Sequence, residues 1–171
     1  MIQSKKELVE YLEADKKAVN KDRLTGITGL YIKCLRKTEY HMNVGHSCRK
    51  KYYNTLLKVL SVISGICIPP NTFGKGLALF HYGTIIVNPS AKFGRNCCIQ
   101  AGVNVGDGVR GGDFVYLAPG AKINPNVQIA SKVIIGSNAV LTKSIEEESV
   151  TWAGVPAKKI SDKGWNPSYM G

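Results

Sequence analysis

The sequence predicts a mainly β protein, a parallel β-helix of hexapeptide repeats with a small α-helical cap at its N-terminus. Three observations carry this. From Val87 the chain falls into ten consecutive six-residue rows: VNPSAK, FGRNCC, IQAGVN, VGDGVR, GGDFVY, LAPGAK, INPNVQ, IASKVI, IGSNAV and LTKSIE. Their first column is large and apolar everywhere except Gly111, and their fifth column is small or apolar in every row. A period of six is neither helical nor that of a plain strand, and it describes a solenoid in which three hexads close one triangular coil. The first 65 residues lack that beat and show helical spacing instead.

The cap comes first, over residues 1–65. Residues 4–18 read as an amphipathic helix, opened by a Ser4/Glu7 capping box and given an apolar side by Leu8, Tyr11 and Leu12. The segments TGLYIKCLRKTEYHM and KKYYNTLLKVLSVIS read as two more helices. Residues 66–160 form the β-helix, in which the first and fifth positions point inward and stack on their copies eighteen residues on. Val87, Val105, Ile123 and Leu141 make one such ladder. Residues 161–171, SDKGWNPSYMG, are a polar tail, either a loose end or a strap on a neighbouring subunit.

Composition narrows the function. The 44% hydrophobic content is that of a folded domain, and no secretory signal is expected from the mixed charges of MIQSKKELVEYLEADKK. The most apolar stretch, LLKVLSVISGICI, is interrupted by Lys58 and too short to span a bilayer. Five cysteines without a CxxC pair fit a reduced cytoplasm. The net charge of +11 sits mainly in residues 1–60 and suits an anionic cofactor or the inner face of a membrane, or simply a solvated face. No nucleic-acid partner is expected, because zinc-finger, RRM and helix-turn-helix signatures are absent from the sequence.

One histidine interrupts the beat. The rung Leu79-Phe-His-Tyr-Gly-Thr-Ile-Ile has eight residues where six are expected. The two extra residues bulge the coil and turn His81 outward, on a stiff scaffold, as a catalytic base requires. The alternative is a structural histidine at a corner.

The segments FGKGLALFHYGTIIVN, IQAGVNVG and TWAGVPAKKI, with the repeat between them, resemble the hexapeptide-repeat acyltransferases, and within them the serine acetyltransferase-like branch. The resemblance covers roughly Pro69 to Ile160. It implies a left-handed coil, acetyl-CoA as donor, no metal, a homotrimer, and His81 as the general base that takes a proton from an acceptor hydroxyl. It also implies a coenzyme A track along one edge of the β-helix. Ala118, Gly136, Ser137, Ala153 and Gly154 allow close approach there, and Lys158 and Lys159 meet phosphates or are a solvated basic end.

The departures from the family shift the expected acceptor. Serine acetyltransferases have an aspartate immediately before this histidine, where Phe80 stands, and another in the preceding coil, where Ile66 stands. Their loop carrying an arginine and a histidine is also missing. Another acid, a backbone carbonyl or a neighbouring chain's group is left to orient His81, with Asp107 and Asp113 the nearby acids for that or for meeting substrate. Phe80 and Tyr82 flank the base with aromatic surface suited to a sugar ring. The expectation is therefore O-acetylation of a sugar hydroxyl in a cell-surface polysaccharide or its precursor, as in short O-acetyltransferases of bacterial capsule synthesis. Serine is the runner-up acceptor, and a non-catalytic scaffold is the alternative, with the basic cap docking a partner or a membrane surface. Cys97 reads as inert core and Cys98 as a corner residue without an activating base, so no acetyl-enzyme is expected. His41, His46 and Cys48 lack the usual metal-ligand spacing.

Overall fold

The computed structural model describes residues 1–19 and 25–166. Helix α1 spans Lys5–Ala18, and its capping box forms as expected. The Glu7 backbone N–H donates to Ser4 Oγ (3.1 Å), and Glu7 Oε2 accepts from the Ser4 N–H (3.1 Å). Helix α2 spans Gly26–Asn43 and α3 spans Ser47–Ser64. Both begin a few residues before the sequence suggested. Gly65 closes α3 at φ 70°, a left-handed conformation that glycine adopts without a Cβ clash.

Fourteen short strands follow among the described residues. They are β1 (Ile66–Cys67), β2 (Ala78–Leu79), β3 (Ile85–Val87), β4 (Lys92–Phe93), β5 (Cys98–Ile99), β6 (Asn104–Val105), β7 (Arg110–Gly111), β8 (Tyr116–Leu117), β9 (Lys122–Ile123), β10 (Gln128–Ile129), β11 (Ile134–Ile135), β12 (Val140–Leu141), β13 (Thr151–Gly154) and β14 (Ala157–Ser161). They make three faces of a triangular, left-handed parallel β-helix. The first face is β1-β3-β6-β9-β12, the second is β4-β7-β10, and the third is β2-β5-β8-β11-β13-β14. All pairings are parallel except the closing β13–β14 hairpin.

The hexad columns pack as read through Leu141, after which the last rung is two residues short and Ile145 of the fifth column pairs with Ile129 of the first. Every fifth-column residue from Ala91 to Ile145 is buried, and so is every first-column residue except Gly111. Burying each aliphatic side chain of such a ladder contributes about 1.5–3 kcal/mol. Gly111 has a steric cause. A Cβ there would lie 2.2 Å from the ring of Phe93, which stacks on Phe73 with centroids 4.8 Å apart and fills the space of the missing side chain.

The slipped rung is real and confined to one corner. Ala78 pairs with Cys98, twenty residues on, whereas Cys98 pairs with Tyr116 and Tyr116 with Ile134, eighteen on each time. The two extra residues fall between β2 and β3.

Two expectations change. Cys98 lies in β5, not at a corner, and is fully buried beside Gln100, whose amide nitrogen lies 3.4 Å from its sulfur. The described part of the tail is not a loose end but packs on its own chain. Trp165 stacks against Tyr116 with centroids 4.4 Å apart, and its backbone N–H donates to the Lys132 carbonyl (2.8 Å). Residues 167–171 of that tail lie outside the described residues.

A buried ion network fastens the cap to the first coil. All five N–H groups of Arg36 are used. They reach Asp15 (2.7 and 3.1 Å), Glu39 (3.0 Å), and the carbonyls of Phe73 (3.0 Å) and Gly74 (2.8 Å). Asp15 also accepts from the backbone N–H groups of Gly76 and Leu77, both at 2.8 Å. Burial opposes the Arg36 charge, but Asp15 and Glu39 outweigh it and push its pKa upward.

Candidate active site

Three edges join the faces, and the chain crosses from the third face to the first at the same edge in every coil. His81 lies on that edge, in the bulge after β2. It is exposed, as the slipped rung implies. Stacked above it along the edge are Ala101 and Gly102, then Pro119 and Gly120, then Ser137 and Asn138. The backbone N–H of Gly102 donates to Thr84, that of Gly120 to Ala101, and that of Asn138 to Pro119. Three coil steps of about 4.8 Å separate the His81 level from the Ser137 level, or about 14 Å. The edge is kept bare. A Cβ on Gly102 would sit 3.2 Å from the Gly120 backbone, and Gly102 itself has φ 79°.

His81 opens into a groove of about 260 Å³, bounded by Leu79–Tyr82 on one side and by Thr25–Thr28 of the cap on the other. Phe80 is half-buried and packs against the core, whereas Tyr82 is 67% exposed. Sequence reasoning missed the α2 wall, because nothing in the local pattern around Thr28 states which strand end it faces.

The other candidates divide by edge. Ala118, Gly136 and Ser137 share the edge with His81. Ala153 and Gly154 belong to β13 at the far end of the third face, and Lys158 and Lys159 to the neighbouring β14. Lys159 is held by Glu147 (2.7 Å) and Asp162 (2.5 Å), which raise its pKa. Lys158 has no ion-pair partner among the described residues.

Asp107 and Asp113 are on the other two edges and do not meet His81. Asp107 accepts a hydrogen bond from Ser90 across one coil step. Asp113 pairs with Arg95 at 2.7 Å. Partial burial acts upward on its carboxyl, but the Arg95 backbone N–H and guanidinium together hold its pKa below the usual range. Ile66 is fully buried in the coil core and Phe80 lies partly in it, so neither position offers the imidazole a polar partner. Burial pushes the thiols of Cys97 and Cys98 up to about 12, so neither is a thiolate near neutral pH. His41 and His46 face each other at 3.0 Å between their Nδ1 atoms, and no group of three or more metal-ligating side chains occurs among the described residues.

No protein-family model matches the chain. It is 32% identical over 127 residues to a serine acetyltransferase of Staphylococcus aureus, a match covering 68% of this chain and 59% of the relative. The chain thus spans well under two thirds of that relative's length. Among solved structures, a serine acetyltransferase of Brucella abortus in complex with coenzyme A superposes with a TM-score of 0.78 at 26% identity, covering 95% of this chain and 71% of that one. The serine acetyltransferase of Neisseria gonorrhoeae in complex with serine superposes with a TM-score of 0.73 at 25% identity, covering 92% and 71%.

These likenesses overturn the expected carbohydrate acceptor, since both the relative and the solved structures are serine acetyltransferases. The physical reason lies in the groove. Phe80, read as a platform for a sugar ring, turns partly into the core instead of presenting its whole face to the groove. The likenesses also lend no support to the expected homotrimer or to a membrane contact through the cap. No described helix is long and apolar enough to cross a membrane. By sequence and by fold, the chain is a left-handed β-helix protein of hexapeptide repeats related to the serine acetyltransferases.

Proposed function

We propose that this chain is an acetyl-CoA-dependent O-acetyltransferase acting on the hydroxyl of L-serine, with His81 as its general base. The observation that carries the reading is the placement of His81. Its imidazole is exposed at the one corner where the repeat gains two residues, beside an open groove of about 260 Å³. The likeness to serine acetyltransferases over most of the chain supports the acceptor.

In this reading His81 accepts the proton of the serine hydroxyl as that oxygen attacks the thioester carbonyl. The imidazolium then returns the proton to the departing thiolate, so the products are O-acetylserine and coenzyme A. The donor lies along the edge shared by Ala118, Gly136 and Ser137, where glycines keep the wall low, and reaches Ala153 and Gly154. Lys158 is the better phosphate partner, because Lys159 is already taken up by two carboxylates.

Thiol release from acetyl-CoA, measured with and without L-serine, tests the reading directly. We expect serine-dependent release and O-acetylserine in the product mass spectrum. His81→Ala should lower kcat by about 10²–10⁴-fold while the protein stays folded. A folded His81→Ala variant with normal turnover excludes His81 as the base.

A further inference from the structure

We propose that the first turn of α2 is a wall of the acceptor site and that Thr28 is its specificity-determining side chain. The inference rests on the serine reading above and says which residues select the amino acid.

The groove that holds His81 has two sides, and only one belongs to the β-helix. Any acceptor that reaches the imidazole from this groove passes between Leu79–Tyr82 and Thr25–Thr28. Among the described residues, the polar side chains along it, apart from His81, are those of Thr25, Thr28 and Tyr82, and no carboxylate or lysine lines it. Thr25 is exposed and Tyr82 is 67% exposed, so water competes for both. Thr28 is half-buried, and its branched Cβ limits its rotamers. It is the hydroxyl best placed to discriminate.

The wall is also fixed, which a selective site requires. Tyr31 lies one helical turn after Thr28, on the same side of α2. It is fully buried, and its hydroxyl both accepts from the Ile68 N–H (2.9 Å) and donates to the Ile68 carbonyl (3.2 Å) of the first coil. Arg36, further along α2, binds the carbonyls of Phe73 and Gly74. The helix is thereby tied at two levels to the coil that carries His81. Ile66 is buried in the coil and Phe80 packs partly against the core, so neither offers the groove a polar group, and the described surface that faces them is the first turn of α2.

Steady-state kinetics with saturating acetyl-CoA on wild type, Thr28→Val and Thr28→Ser decide the matter. Loss of one neutral hydrogen bond corresponds to roughly 3–10-fold. We expect Thr28→Val, which keeps the volume and loses the hydroxyl, to raise the KM for L-serine by about that factor, with kcat and the acetyl-CoA KM within twofold of wild type. Thr28→Ser, which keeps the hydroxyl and loses the methyl, should stay within twofold throughout. A serine KM unchanged in Thr28→Val overturns the proposal. So does the reverse order, with Thr28→Ser the worse variant and both substrates affected, because that is the signature of packing alone. If wild type fails to acetylate L-serine, the functional reading itself falls and this inference falls with it. That outcome is distinct, since it appears before any variant is made.

Discussion

Replacing Arg36 by methionine should separate the helical cap from the β-helix energetically. The side chain is fully buried, and each of its five N–H groups has an acceptor. In Arg36→Met, Asp15 keeps the Gly76 and Leu77 amides and Glu39 keeps the Asn71 amide (2.8 Å), but both buried carboxylates lose their counter-charge. The carbonyls of Phe73 and Gly74 lose a donor as well. Breaking a buried ion pair from one side costs about 3–5 kcal/mol, a large part of the 5–15 kcal/mol typical of a whole domain. Arg36→Lys should recover little, because one ammonium cannot span acceptors that a planar guanidinium reaches together. The triple variant Asp15→Asn/Arg36→Met/Glu39→Gln should recover about 1–3 kcal/mol relative to Arg36→Met, since no charge is then left buried. Urea unfolding followed by far-ultraviolet circular dichroism and by tryptophan fluorescence measures this. Both tryptophans, Trp152 and Trp165, lie beyond the cap, so early loss of helix signal reports the cap alone. A loss below about 1 kcal/mol in Arg36→Met would refute the reasoning.

Two further outcomes follow from the side chains described. In the native protein a thiol reagent at pH 8 should label Cys48 and Cys67 rapidly, while Cys34, Cys97 and Cys98 react only after unfolding, because they are buried and burial raises their pKa values; fast labelling of a third thiol would contradict the packing. Burial, with added repulsion from His46, Arg49 and Lys37, holds the His41 pKa below its ordinary 6.5. The unfolded chain therefore binds more protons than the folded one in that window. The stability linked to His41 is complete above pH 6.5 and is lost as the pH falls through the folded value. His41→Phe should flatten the fall in urea midpoint between pH 7 and pH 5, and an unchanged slope would remove His41 as its source.

The β-helix was legible because each hexad repeats one local rule, apolar at positions one and five, and ten repetitions make the rule plain. His81 was legible for the same reason, as a break in a regular pattern. Gly111 looked like an exception until the ring of Phe93 accounted for it. What stayed hidden was set by long-range contact. Arg36 and Glu39 read as ordinary charges of a basic cap, and nothing local to either says that Asp15 and the turn at Phe73–Gly74 surround them. Thr28 read as the start of a helix, and only the folded chain sets it across from His81. Asp107 and Asp113 were chosen by nearness in sequence, but each corner of a triangular coil turns the chain onto a new face, so residues six apart lie on different edges. The acceptor was misjudged because Phe80 was weighed by its chemistry and not by its direction.

The triangular coil gives this chain a reading frame in space. Removing eighteen residues from the regular part would delete one full turn and leave every later residue on its own edge, only one step closer to His81. Removing six would rotate everything downstream by a third of a turn and carry Ser137 and Asn138 away from the histidine altogether. The two extra residues at His81 escape this rule because they are absorbed in a corner, and the phase of the following coils is restored by β3. Length changes in such a scaffold are therefore of two kinds. Whole-turn changes adjust the distance between His81 and the far end of the edge, whereas fractional ones scramble which side chains share an edge at all.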